Sequence, residues 1–140
     1  MLLFIFVLVG WAVRSAFRFI RFFFFIDSKL LAMANRKRIL QAKLIQSFKS
    51  AYPLPSSLLP LRLQILSASA SEIAKKITKD REWTAEQVVL VYCHEAISVH
   101  EELNCLTEIM FEEALEMASK IDAEFKKSGK PIGSLHGVKL

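Results

Sequence analysis

The sequence predicts a mainly α-helical chain with one or two short strands, and three observations indicate this fold class. Apolar residues recur at helical spacing over long stretches. Two sequences of the form Ser/Thr-x-x-Glu/Gln, starting at Ser69 and Thr84, match the capping box that begins many helices. Only four of the 140 residues are Gly and four are Pro, which excludes a collagen-like chain. No internal repeat is visible, which excludes a solenoid.

The start of the chain is apolar and basic. Residues 2–13 are uncharged, but as a helix of ~1.5 Å per residue they reach about 18 Å, less than the ~30 Å of a bilayer core. Extension to residue 26 adds Arg14, Arg18 and Arg21, which share one helix face and can reach toward one interface. The sequence therefore predicts membrane association through residues 2–26, at its longest as a transmembrane helix, with these arginines at the membrane interface.

The distribution of charge indicates an orientation and a partner. Residues 1–66 carry ten Lys or Arg and one acid, whereas residues 67–140 carry nine basic and thirteen acidic residues. Basic residues follow the apolar run and none precedes Arg14, which predicts a cytoplasmic body. An anionic lipid surface explains the basic residues 36–38 better than nucleic acid does. Two alternatives stay open: a signal peptide cleaved near Ala32-Met33-Ala34, and translation from Met33, which predicts a cytoplasmic protein.

The elements after the leader are predicted in order. A basic amphipathic helix covers residues 32–50, and Pro53 and Pro55 end it in the proline-punctuated connector LPSSLLPLRL. Capped helices follow from the first capping box to about residue 78 and over residues 85–102. The β-prone segment CLTEIMF precedes an amphipathic helix over 111–127, and IGSLHGVKL enters a strand. The predicted division is a leader over 1–31, a helix and connector over 32–66, and a helical part of a larger domain over 67–140.

Residues that could carry chemistry are few, and their spacing does not define a site. Cys93, His94, His100 and Cys105 lack the spacing of a metal site, and we interpret them as core thiols and surface histidines. Six acidic residues are interpreted as a solvated helix face: Glu101, Glu102, Glu108, Glu112, Glu113 and Glu116. No nucleophile elbow, P-loop or Rossmann glycine pattern occurs, so the sequence predicts no metal and no cofactor.

One resemblance supplies what spacing does not. The stretch from EWTAEQ to GSLHGV resembles the N-terminal region of amidase-signature enzymes, most closely fungal acetamidases, with weaker similarity back to about Arg36. The positions that carry it are Thr84, Val88, Asn104, Cys105, Glu108, Ala114, Ile121, Asp122, Gly129, Lys130, Pro131, Gly133, Leu135, His136, Gly137 and Val138. The apolar start is also similar to that of the more distant fatty-acid amide hydrolases, which have an N-terminal transmembrane helix and act on lipid amides.

The resemblance implies an α/β parent enzyme with a mixed central sheet. It would hydrolyse a carboxamide, small or lipid-like, through a serine activated by a second serine and a lysine. The family lysine lies five residues beyond the position of Val138, and both serines lie further on, so no catalytic residue is expected in this chain. The family motif before that lysine corresponds to Gly133, Leu135, His136, Gly137 and Val138, with Ser134 where the family has proline. We therefore expect an inactive N-terminal piece of an amidase. The alternative is a non-catalytic, membrane-anchored helical interaction module.

Overall fold

The computed structural model describes the backbone of residues 2–133 and 135–138, and side chains except those of residues 2–10, 12 and 23–27. Five α-helices are present in this part of the chain: α1 (Leu2–Ala51), α2 (Leu59–Ser67), α3 (Ala70–Thr78), α4 (Ala85–Leu103) and α5 (Phe111–Ser128), with a 3-10 turn at Ser56–Leu58. The described residues contain no strand. The predicted mainly α fold class is confirmed.

The chain divides into two compact units, Met1–Ala42 and Lys43–Leu140. The first unit consists of the larger part of α1, and its described side chains are almost all exposed. Among the described residues, no helix has an apolar stretch of the length and composition that a membrane crossing needs. This finding does not support the prediction of a transmembrane helix over residues 2–26. The boundaries predicted at residues 31 and 66 stay predictions.

The core of the second unit forms around α4, which contributes to two clusters of buried side chains. The first cluster joins α2, α3, α4 and α5 and contains Leu58, Ile65, Ile73, Ile77, Trp83, Ala85, Val88, Val91 and Ala118. The second joins the end of α1 to α4 and α5 and contains Ile45, Phe48, Cys93, Ile97 and Leu115. Phe48 is at its centre, with ring centroids 5.1 Å from Phe111 and 5.9 Å from His94. Burial of these apolar side chains holds the helices of this unit together.

The proline-punctuated connector folds differently from the prediction. Helix α1 ends at Ala51, before Pro53, as expected, but the segment LPSSLLPLRL forms the 3-10 turn and most of α2. Pro60 lies in the first turn of α2, where its missing N–H has no intrahelical acceptor to lose. Arg62 on this helix donates hydrogen bonds to the Glu95 carboxylate on α4, one of them from Nε at 3.0 Å. Tertiary contacts therefore support a helix in a segment that the sequence predicted to be a connector.

The β-prone segment CLTEIMF is an irregular loop between α4 and α5 and contains no strand. Asn104 ends α4 in the left-handed conformation, with φ of 50°, and its N–H donates to the His100 carbonyl. The His100 side chain then accepts a hydrogen bond from the Leu106 N–H at 3.0 Å. The segment IGSLHGVKL was predicted as a loop that enters a strand: its described residues 135–138 form a turn, and residues 139 and 140 lie outside the described part.

Both predicted capping boxes are present. At the start of α3 the Glu72 N–H donates to the Ser69 hydroxyl, and the Ser69 N–H donates to the Glu72 carboxylate at 2.7 Å. At the start of α4, Thr84 and Gln87 form the same pair of bonds, each 3.1 Å long. Each box satisfies two backbone donors that a helix start otherwise leaves open. These local signals set the first residues of both helices.

The α3 capping box makes stability depend on pH. Hydrogen bonds from the Ser69 backbone N–H and hydroxyl lower the pKa of Glu72. A carboxyl whose pKa is lower in the folded state stabilises the fold above its unfolded pKa, about 4.3, and loses that contribution as pH falls through the folded pKa. We expect Glu72→Gln to be less stable than the wild type at pH 7 and the difference to shrink below pH ~4. Urea unfolding followed by circular dichroism measures it, with Glu124→Gln, exposed on α5, as control. A difference that stays constant down to pH ~3 would contradict the expectation.

Candidate functional site

At the start of α4, all four of the backbone N–H groups that the helix leaves without acceptors have hydrogen-bond partners. Four backbone N–H groups at a helix start have no intrahelical acceptor. Here the Thr84 N–H donates to the Gln87 side chain, and the Gln87 N–H donates to the Thr84 hydroxyl. The two groups between them, the N–H of Ala85 and of Glu86, donate to the two carboxylate oxygens of Asp122, each at 2.9 Å. All four groups are paired, and two of them are paired by α5.

Asp122 therefore joins two helices through one carboxylate. Its carboxylate lies at the positive end of the α4 dipole, where a negative charge is stabilising. The resemblance includes Asp122, but sequence reasoning assigned it no role. No local signal could have done so, because its hydrogen-bond partners are 36 and 37 residues away in the chain.

The turn after α5 brings the backbone back to the place where the start of α4 contacts Asp122 of α5, which we call the corner. Gly129 ends α5 in the left-handed conformation, with φ of 65°. His136 is 3% exposed, its ring centroid is 4.8 Å from that of Phe125, and its Nδ1 accepts a hydrogen bond from the Ile132 N–H at 3.1 Å. Nε2 of His136 is buried without a hydrogen-bond partner among the described residues. The imidazole thus holds the turn closed and fastens it to α5.

Gly137 passes close to α3 and α4. Its φ is +77°, and a Cβ atom at this position would lie 2.7 Å from Ile77 Cδ1 and 3.1 Å from Ala85 Cβ. A side chain there would have both an unfavourable backbone conformation and a clash. Gly137 and Val138 then line two apolar cavities of about 500 and 210 Å³ between the helices. The backbone reaches this position because residue 137 is glycine.

The structure places the predicted site residues as follows. Gly133 and Leu135 are exposed at the outer part of the turn, His136 and Gly137 are buried, and Val138 is half-buried against the first core cluster. The two buried members therefore lie at the corner that Asp122 caps. Arg14, Arg18 and Arg21 are exposed side chains of α1 in the first unit.

The other candidates do not assemble into a site. The described residues contain no group of three or more His, Cys, Asp or Glu side chains that could hold a metal ion. Our interpretation of the histidines and thiols is partly wrong, because His100 is buried and Cys105 is exposed. His94 is half-buried, and its Nε2 lies 2.8 Å from the Tyr52 carbonyl. The six acidic residues are exposed, as predicted, and Glu101 and Glu116 form ion pairs with Lys49 and Lys120.

Comparison with known proteins identifies the family. Residues 87–140 match the family model Amidase. The chain is 39% identical over 95 residues to "Putative amidase kk1C" of Curvularia clavata, which covers 67% of this chain and 18% of that protein. It is 43% identical over 75 residues to Amidase 1 of Gibberella moniliformis and 32% identical over 78 residues to an acetamidase of Emericella nidulans, matches that cover 54% and 56% of this chain and 14% of each relative. No solved structure matches significantly.

The matched region includes α4, α5 and the turn that contains His136 and Gly137. The chain belongs to the amidase family, as its motifs predicted. It spans less than a fifth of the length of these relatives.

The close approach of Gly137 to α3 and α4 predicts a large effect of substitution. We expect Gly137→Ala to lower the free energy of unfolding by about 3 kcal/mol, from the positive φ and the clash together. Gly133→Ala is the matched control, because a Cβ there meets no atom within 4 Å. The double variant Ile77→Val/Gly137→Ala removes the Cδ1 atom in the clash and should recover part of the loss. Equal stability of the two alanine variants in urea unfolding would show that the approach is not tight.

The Asp122 carboxylate predicts a second stability effect. We expect Asp122→Ala to lower the free energy of unfolding by about 2 kcal/mol, because two N–H groups at the start of α4 lose a charged acceptor. Glu124→Ala, exposed on the same helix, should change it by less than about 0.5 kcal/mol. Hydrogen exchange at the Ala85 and Glu86 amides should accelerate in Asp122→Ala only. Unchanged exchange at both amides would contradict the role of Asp122.

Proposed function

We propose that this chain is the N-terminal part of an enzyme that hydrolyses carboxamides to a carboxylic acid and ammonia or an amine. The amidase match over residues 87–140 carries the proposal. The corner described above supports it, because four of the positions that define the resemblance meet there: Thr84, Asp122, His136 and Gly137. The relatives named above are themselves amidases by name, so the proposal rests on likeness and needs a direct test.

The chemistry proposed for the whole enzyme is covalent catalysis. A serine hydroxyl, deprotonated by a neighbouring base, attacks the amide carbonyl, and the amine leaves after it is protonated. Water then hydrolyses the acyl-serine to the acid and restores the hydroxyl. In the family pattern the lysine follows the histidine-glycine motif by a few residues, so its position depends on where residues 136–138 direct the backbone.

This chain's own residues have a positioning role in the proposal. The His136 ring fixes the turn against Phe125, and Gly137 fixes the backbone against Ile77 and Ala85. Val138 is half-buried against the first core cluster, next to the larger apolar cavity. The backbone that follows therefore starts from a point held by three helices. Such a rigid start suits a strand that must hold a catalytic side chain within a fraction of an ångström.

The test is an activity assay on the protein translated from the complete transcript. We expect ammonia release from acetamide or from a long-chain fatty-acid amide, and covalent labelling of one serine by a fluorophosphonate, which reacts with activated hydroxyls. The 140-residue chain should give neither result, because the serines and the lysine implied by the family pattern lie outside it. The two amides distinguish a small substrate from a lipid-like one.

The same experiment separates the two function classes. A folded translation product that neither releases ammonia nor reacts with the fluorophosphonate would contradict the enzyme. A transcript that stops after the Leu140 codon would do the same, and would favour the non-catalytic interaction module instead. Gly133→Ala should keep the activity of the complete enzyme, whereas Gly137→Ala should reduce it, since only the latter disturbs the packed corner.

A further inference from the structure

The first unit exposes an amount of apolar surface that amide hydrolysis does not explain. Trp11 is 71% exposed and Phe19 69%, and the described exposed apolar residues from 11 to 33 are Trp11, Val13, Phe17, Phe19, Ile20, Phe22, Leu30, Leu31 and Met33. Soluble surfaces rarely expose so many large apolar side chains in one stretch, and such patches commonly mark an interaction site. A partner is therefore expected along this part of α1.

The basic residues of the same stretch share one face of the helix. With 3.6 residues per turn, the five basic residues between 14 and 36 fall within an arc of about 80°. They are Arg14, Arg18, Arg21, Lys29 and Arg36, and all five are exposed. Arg14, Arg18 and Arg21 line one shallow groove together with Val13 and Phe17. The basic residues of this face are thus spread over about 33 Å of the helix, at ~1.5 Å per residue.

Apolar residues lie on the opposite side of this stretch, together with one acidic position, residue 27. Angles around the helix axis follow from 3.6 residues per turn. The direction opposite the centre of the basic face lies within about 60° of four apolar residues: Phe19, Ile20, Leu30 and Leu31. Trp11 lies at the edge of the basic face and Phe22 about 20° beyond that edge, where aromatic rings suit the boundary between headgroups and acyl chains. A basic face, an apolar face and bordering aromatic residues are typical of a helix that lies in a membrane interface.

We propose that residues 11–36 of α1 lie in the plane of a bilayer that contains anionic phospholipids, without crossing it. Acyl chains would cover the apolar side, and lipid phosphates would pair with the basic face, with the arginines able to bind two oxygens each. A second copy of the chain would cover the apolar side but would not neutralise Arg14, Arg18 and Arg21. Because the cytoplasmic leaflet is the anionic one, the second unit would lie in the cytoplasm.

Vesicle flotation of the 140-residue chain tests the proposal, because bound protein rises with vesicles while aggregates sink. The probes are phosphatidylcholine vesicles with and without about 30% phosphatidylglycerol. We expect flotation with the anionic vesicles, weakened by added salt. Arg14→Gln/Arg18→Gln/Arg21→Gln should lose about 100-fold in affinity, since each basic residue near an anionic surface contributes about fivefold. The matched control, Lys126→Gln/Lys127→Gln/Lys130→Gln, removes the same charge from exposed positions of the second unit and should bind like the wild type.

Tryptophan fluorescence tests the depth of the helix. Trp11 is exposed, whereas Trp83 is buried in the core of the second unit, so a blue shift on vesicle addition should vanish in Trp11→Phe. Lipids brominated near the headgroup should quench Trp11 more than lipids brominated near the chain end, because an interfacial helix lies about 5–10 Å deep.

Several outcomes would overturn the proposal. They are equal flotation with neutral vesicles, equal loss in both triple variants, strongest quenching near the bilayer centre, and lipid-free dimers that protect Trp11 and do not float. None of these outcomes bears on amide hydrolysis, so the two proposals can fail separately.

Discussion

The carboxylate of Asp122 is the interaction on which the second unit depends. It accepts hydrogen bonds from two N–H groups at the start of α4, and the capping box of Thr84 and Gln87 pairs the other two. Because α4 contributes to both core clusters, fixing its first turn against α5 also fixes where α2, α3 and the end of α1 can pack. Without Asp122, the part-buried N–H of Ala85 would lack an acceptor, which costs free energy.

The turn at residues 132–138 follows from that fixed end. Ala85 is buried at the start of α4. The backbone at residue 137 passes close to Ala85 and Ile77, and it can do so only because residue 137 is glycine and has no side chain. His136 closes the turn from the other side, where its ring packs on Phe125 and its Nδ1 accepts the Ile132 N–H. The motif that resembles the amidases is therefore a packing device in this chain, and the proposed chemistry depends on it through position.

The two units combine opposite physical designs. The second unit has a buried apolar core, although large apolar side chains such as Leu63 and Leu103 are exposed on it. The described part of the first unit exposes large apolar side chains beside a basic face. A self-contained helical core and a helix that needs an external partner suit different tasks. Amide chemistry is proposed for the enzyme to which the second unit belongs, and lipid binding for the first unit, so the proposed functions rest on separate residues.

The sequence by itself determined the helices whose signals are local. Apolar periodicity and two capping boxes predicted α3, α4 and α5 nearly to the residue, and the order and spacing of the matching positions from Thr84 to Val138 indicated the family. Tertiary structure decided what local signals cannot contain: α2 forms through its packing and the contact of Arg62 with Glu95, and CLTEIMF stays irregular because no neighbouring strand among the described residues offers it a ladder. The role of Asp122 and the burial of His100 also needed the fold, because hydrogen bonds between residues distant in the chain exist only once the helices have packed.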